Sequence, residues 1–200
     1  SAGASVDWIA RNTEAQNFRR GDQSAYAFLN GFSPRNIKPS GLFFLPYLAG
    51  ERSPFWDASA TGALLGLTLR HTKQDLIQSV LEGVGFTVRT IVDITEELTR
   101  QAIKTVRISG AATSSVTWMF MLANILDKKV VVPKETEATA LGAAMLGAVG
   151  AALVPNVRAA ARRYLHVRRS FTPRTQSARA YGSAYKQFIK VSKAYMLLRS

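Results

Sequence analysis

"ISGAATSS", residues 108–115, joins the end of an apolar strand to the start of a helical pattern through residues with almost no side-chain bulk. Gly110, Ala111 and Ala112 leave the main chain open to a close approach. Ser114 or Ser115 offers a hydroxyl to cap the helix that follows. Upstream, Leu76, Ile77, Val80, Leu81, Val84, Val88, Ile91 and Leu98 recur at three- and four-residue steps. That spacing predicts an amphipathic helix from about Thr72 to about Arg100, with Thr72 as N-cap and Asp75 in its first turn. Thr105–Ser109 alternates and reads as a strand. Downstream, Trp118, Met121, Leu122 and Ile125 form the inner face of a helix, Lys129–Val132 is a short strand stopped by Pro133, and Thr136–Ala152 is a helix of small residues suited to close packing.

The flanks add weaker elements. Gly3–Arg11 reads as a short helix and Leu42–Leu45 as a buried strand. Asn12–Ser40 is polar, with a short helix expected at Gln23–Leu29. Ala63–Leu69 reads as a strand. A last helix runs from about Thr175 to Leu198, with Tyr181, Tyr185, Phe188 and Tyr195 on or near its apolar face. The order after residue 62 is strand, helix, strand, helix, strand, helix, which predicts an α/β domain with a largely parallel sheet in this part. Ligands of such sheets sit at the carboxyl ends of the strands. The 108–115 turn lies at such an end, and a nucleotide suits it. Small residues at a strand–helix turn more often serve plain packing, so the turn alone is a weak signal for a ligand.

Composition narrows the function classes. The 200 residues are 47% hydrophobic and 20% charged, ordinary for a globular protein. There is no cysteine, hence no disulfide and no thiolate metal site, which fits a cytoplasmic location. No secretory signal is expected, and the absence of an initiator methionine suggests a fragment. The most apolar run, Ala138–Val154, is short for a membrane span and reads as a buried helix. The net charge of +13 is uneven: residues 138–200 hold eleven Lys/Arg and no Asp/Glu. Such a segment attracts nucleic acid or an anionic membrane, or is a solvated face whose acidic partners lie elsewhere in a longer protein. Base-stacking aromatics are not interleaved with these cations, so the sequence reading expects no nucleic-acid and no membrane partner. His71 and His166 have no metal-ligand spacing.

At residues 62–82, "GALLGLTLRHTKQDLIQSVLE" resembles the C-terminal signature of the FGGY carbohydrate kinases: Gly62, Leu64, Gly66, Leu67, Asp75, Leu76, Ser79, Val80, Leu81 and Glu82 fall on its defined positions. "GLFFLPYLAGERSPFWD" is similar to the stretch preceding that signature in xylulokinases and gluconokinases. "ISGAATSSVTW" sits where the family has its adenosine motif, and "EATALGAAMLGAVGAA" looks like the helix that follows. The resemblance runs from about residue 1 to 195.

The resemblance implies an actin-like (ribonuclease H-like) α/β fold, with a mixed sheet flanked by helices. Residues 1–200 would be most of the C-terminal lobe, with a core to about residue 155 and a basic helical segment at 156–200. It implies transfer of the γ-phosphoryl group of MgATP to a sugar hydroxyl, with D-xylulose first and gluconate second. A non-catalytic, kinase-derived binding domain is the alternative. The catalytic aspartate and phosphate turn would lie on a segment preceding this chain, so no catalytic or metal-ligating residue is assigned here. Asp22 in "GDQSA" follows the Ala-Gly-Ala-Ser segment, where the family's aspartate precedes it, and reads as a surface acid. By the same resemblance the nucleotide meets Gly3, Asp7, Gly110, Ala111, Ala112 and Ser115. Expected partners are ATP with Mg²⁺, the sugar and an N-terminal lobe; self-association is also expected.

Three departures matter. Ala111 and Ala112 replace glycines common in the motif, which costs about 1 kcal/mol if the turn needs φ > 0 there. Thr61 stands where relatives often carry Arg. Glu51 and Arg52 are expected to form an ion pair that holds their loop, Trp56 to anchor packing, and Glu82 to meet a main-chain donor or a basic partner.

Overall fold

A computed structural model describes residues 2–13, 38–51, 53, 56–135 and 137–198. The helix expected at Gln23–Leu29, Asp22 and the Arg52 half of the expected ion pair lie outside the described residues. The elements are α1 (Ala2–Thr13), β1 (Phe43–Leu45), β2 (Ala63–Leu65), α2 (Lys73–Thr99), β3 (Thr105–Arg107), a 3₁₀ turn (Ala111–Ser114), α3 (Val116–Leu126), β4 (Lys129–Pro133), α4 (Ala138–Gly150), α5 (Val157–Tyr164), β5 (Val167–Phe171) and α6 (Thr175–Leu197).

Helix α2 organises the core. Its start is fixed by a capping box, in which the Thr72 N–H and Oγ1 both donate to Asp75 Oδ2 at 2.7 Å. Its end turns at Arg100, which takes a left-handed φ of 55°. Between them Ile77, Val80, Leu81, Val84 and Phe86 are buried, and the helix packs against α1, β1, α3 and α6. Two glycines permit this closeness. A Cβ at Gly83 would stand 2.1 Å from the Phe44 carbonyl oxygen, and one at Gly85 would stand 2.6 Å from Ile125 Cδ1.

That geometry gives the first expected outcome. Gly83→Ala gains helix propensity, worth about 1 kcal/mol, but must push a strand backbone aside, so the net effect is a loss of about 2 kcal/mol. Gly147→Ala, in α4 with nothing within 4 Å of the new methyl, stabilises by up to about 1 kcal/mol. Urea unfolding of the two variants checks the opposite signs.

The sheets depart from the largely parallel arrangement expected. β1 and β2 form an antiparallel pair. β3, β4 and β5 form a mixed sheet in which β3–β4 is parallel and β4–β5 antiparallel. The expected strand at Ala63–Leu69 stops at Leu65 because Gly66 takes φ +85° and turns the chain, leaving Leu67 and Leu69 exposed. β4 includes Pro133, and a register irregularity lies between Val132 and Pro133. Val130, Val131 and Val132 are all buried, which explains a continuous apolar run rather than an alternating one.

Two expectations about apolar residues fail. α4 is not a buried helix: of its described residues only Met145 is buried, and the helix packs mainly on α5. Its alanines and glycines remove little apolar area from water, so the high hydropathy of the run carries little drive to bury it. Trp56 is no packing anchor. It is 81% exposed at a left-handed φ of 51°.

Candidate functional site

The turn after β3 is built by its own hydroxyls. Gly110 takes φ 86° and ψ −174°, a combination open almost only to glycine. Its carbonyl oxygen accepts from the Thr113 N–H at 3.1 Å and from the Thr113 hydroxyl at 2.8 Å. The Ser114 hydroxyl donates to the Ala111 carbonyl at 2.8 Å. Ser115 is the N-cap of α3, where its Oγ accepts from the Trp118 N–H at 3.2 Å. These bonds lock a tight turn onto a helix whose Trp118, Met119, Leu122 and Ile125 are anchored in the core. The turn is therefore a rigid surface rather than a loose loop.

What it presents is main chain. Gly110 and Ala111 are exposed, Ala112 is half-buried, and nothing lies within 4 Å of where a Gly110 Cβ would stand. Gly110 is needed here for its backbone conformation, and the space beside it is open to a ligand. Only Gly110 needs positive φ. Ala111 and Ala112 sit in the 3₁₀ turn and are not among the residues with left-handed φ. The strain that two alanines would carry in a left-handed turn is thus absent, and with it one reason for reading this as a degenerate site.

Ser115 takes one of its two expected places, the cap of the helix. It is fully buried and its oxygen caps the helix. The exposed hydroxyl of the turn is Ser114, which the sequence offered only as a cap candidate. The signal was present in the Ser/Thr-rich run: a hydroxyl three residues after a carbonyl bonds back to it, as Thr113 and Ser114 both do.

Gly3 and Asp7 lie one turn apart on α1. Both are half-buried, on the flank between the buried stripe of Ser5, Val6, Ile9 and Ala10 and the exposed stripe of Ala4, Trp8 and Arg11. Trp8 stacks on Phe44 with ring centroids 5.9 Å apart. α1 makes its principal contacts with α2, and α2 packs on α3, which carries the 110–115 turn at its start. The two groups of expected nucleotide residues thus share a common support and do not form one continuous patch through their main contacts.

The loop before α2 is tied down from several sides. Thr61 Oγ1 and the Tyr195 hydroxyl lie 2.9 Å apart, so the residue that stands in place of an arginine links this loop to α6. Glu51 Oε1 accepts from the Ser53 N–H at 2.6 Å. Glu82, 1% exposed, accepts from the Ser40 N–H at 3.1 Å, the Ser40 hydroxyl at 2.6 Å, Gln78 Nε2 at 2.7 Å and the Tyr181 hydroxyl at 3.0 Å. It meets a main-chain donor as expected, and its other donors are neutral side chains. Burial pushes this carboxyl up to about 7, against the pull of those donors. Tyr181 is also raised, by burial first and then by the neighbouring Glu82. Among the described residues no three His, Cys, Asp or Glu side chains gather as a metal site.

A mixed sheet with helices packed on it, and an open glycine turn at a strand's carboxyl end, define an α/β lobe. The comparison with known proteins agrees: the C-terminal domain of the FGGY family of carbohydrate kinases matches residues 1–151, and the chain belongs to that family. It is 30% identical over 185 residues to a xylulose kinase of Bacillus subtilis (strain 168), covering 92% of this chain and 36% of that protein. It is 30% identical over 199 residues to a gluconokinase of Bacillus licheniformis, covering 97% of this chain and 38% of that protein. In structure it is similar to a "xyloylose kinase" from Brucella ovis, with a TM-score of 0.83 and 25% identity over 98% of this chain and 38% of that one. The fold is thus the actin-like one of these kinases. The chain spans little more than a third of the length of these relatives.

Proposed function

We propose that this chain is the nucleotide-binding lobe of an ATP-dependent sugar kinase. The observation that carries the reading is the Gly110 turn: a locked, left-handed glycine with open space beside it, at the end of a parallel strand. In this reading the main chain of Gly110 and Ala111 forms one wall for the adenosine, with Ala112 beside it. Ser114 is the exposed hydroxyl of that wall, and Ser115 holds the turn from beneath. Gly3 and Asp7 on α1 line a second wall. ATP would supply the γ-phosphoryl group, and the magnesium that accompanies it would be held by the ATP phosphates and by carboxylates mostly outside this chain. The chain's own contribution is positioning, the main lever in phosphoryl transfer. The catalytic base and most sugar contacts belong to an N-terminal lobe that closes on this one, so the 200 residues alone are expected to be inactive.

D-xylulose is the first substrate in this reading, since the relatives compared include several xylulose kinases. Gluconate is the second, supported by equal identity to a gluconokinase over slightly more of the chain. The test is ADP release from MgATP by the complete protein carrying this lobe. The expected result is turnover of D-xylulose with kcat/KM at least ~10-fold above that for D-gluconate, a difference of about 1.4 kcal/mol at the transition state. The reverse ratio selects the second reading. Absence of ADP release with either sugar overturns both.

A further inference from the structure

The chain leaves β4 at Pro133 and comes back to pair with that strand as β5, from Val167. The helices in between are α4 and α5. β4 and β5 run antiparallel, and at the end of their ladder the Lys134 N–H donates to the His166 carbonyl at 2.8 Å. The two helices are thus an excursion closed at its own neck, and the ladder does not depend on them. α4 and α5 pack on each other, and among the described residues neither packs on another element to a comparable extent.

Their packing is as separate as their path. Met145, Val154 and Ala160 form a small buried cluster of their own, with Leu141, Val149 and Tyr164 half-buried against it. None of these residues belongs to the core built around α2. Leu146, Leu153 and Val157 stay exposed. The apolar area that holds the two helices together is therefore small. Backbone preference adds little. Gly142, Gly147 and Gly150 lie in α4 with nothing within 4 Å of where a Cβ would stand. They weaken the helix without permitting a close approach, the opposite of Gly83 and Gly85 in α2. Glu137 gives α4 no side-chain cap, and α5, at eight residues, is too short to hold without a partner.

We propose that α4 and α5 open together as one unit, about the neck at Lys134 and His166, while β4, β5 and the core around α2 stay folded. Segments that open below the global free energy are those with few buried apolar contacts. Here the cluster of Met145, Val154 and Ala160 ties the two helices to each other, and the neck marks where the opening stops. The lobe thus carries one movable arm on a fixed frame.

The experiment is native-state amide hydrogen exchange of the 200-residue chain, read by NMR under conditions where reclosing outruns exchange. Amides 145–149 and 160–164 are expected to share one level of protection, at least ~30-fold below that of amides 122–126 and 130–132. Ile125→Val, in the main core, lowers the protection of amides 122–126 and 130–132 by about 2- to 10-fold. It leaves the amides of α4 and α5 unchanged, because their opening does not disturb Ile125. Met145→Ala lowers the protection of α4 and α5 alike, by more than ~10-fold, while amides 130–132 remain the better protected group. Amides of α4 and α5 that fall with the core in Ile125→Val exchange only when the whole chain unfolds, which overturns the proposal. A Met145→Ala effect that is absent or confined to α4 also overturns it, since the two helices then do not open as one. Equal protection of the two helices and the core in the unaltered chain overturns it directly.

Discussion

Raising the pH from 4.5 to about 7 is expected to remove about 3 kcal/mol of stability from this chain through Glu82 alone, and Glu82→Gln is expected to abolish that loss. Burial raises the Glu82 carboxyl from its ordinary 4.5 to about 7 in the folded chain. The native state therefore holds the proton more tightly than the unfolded state does. The stabilisation is complete below about pH 4.5 and is lost as the pH rises through about 7. The linkage between a pKa change and free energy gives a magnitude of about 3 kcal/mol. Asp75, lowered by the Thr72 N–H and hydroxyl, acts in the opposite sense, so the readout is the difference between the wild-type and Glu82→Gln profiles in urea unfolding. A flat difference between pH 4.5 and 7 would contradict the account.

The same residue shows why position matters more than charge. Glu82 sits on α2 and gathers donors from three places: Ser40 before β1, Gln78 one turn earlier and Tyr181 on α6. Gln78 also donates to the Lys38 carbonyl, so the segment entering β1 is held twice. Glu82→Leu would leave these donors without their acceptor. Each buried, unpaired donor costs about 1–3 kcal/mol, so a total near 4 kcal/mol is expected for the side chain that joins three elements.

Gly110→Val is the second large effect, and it falls on binding. Valine cannot hold φ 86° with ψ −174° without strain of about 1–3 kcal/mol, and its side chain would fill the space left open beside the turn. The expected result is a loss of more than ~30-fold in ADP affinity, about 2 kcal/mol or more, with the melting temperature lowered by only a few degrees. Ala111→Gly is the contrasting variant. Ala111 is already unstrained, so glycine there is expected to change affinity less than ~3-fold, below about 1 kcal/mol. Isothermal titration with ADP and Mg²⁺ on the three proteins checks both. Equal affinities for wild type and Gly110→Val would contradict the assignment.

The parts of this fold that could be read in the sequence are those where one physical signal dominated. α2 was legible end to end because its apolar period, its Thr72–Asp75 box and its length all agree. The 110–115 turn was legible as a unit because small residues between a strand and a helix leave few alternatives. The basic segment 156–200 was expected to be helical, which holds for α5 and α6, but the break after α5 and the strand β5 were missed. α5 has only eight residues, four of them alanine or valine and three arginine. β5, Val167–Phe171, is exposed at its first four positions and shows no alternation. Its pairing with β4 comes from the Val130–Phe171 register, a long-range contact that no local pattern announces. α4 was misjudged because hydropathy counts alanine as apolar while its burial gains little. Within the site, the choice between Ser114 and Ser115 turned on which hydroxyl faces inward. That depends on the 3₁₀ turn preceding α3, a half-turn of register that residue types alone do not fix.

The most direct test of the nucleotide-binding reading is an amide NMR titration of the 200-residue chain with ADP and Mg²⁺, with GDP as control. The account predicts saturable shifts confined to Gly110, Ala111, Ala112 and Ser114, with Gly3 and Asp7 following on α1, weaker for GDP and absent in Gly110→Val. Saturable binding that leaves residues 110–114 unshifted, or no shift at millimolar ADP in a chain whose spectrum is otherwise folded, would contradict it.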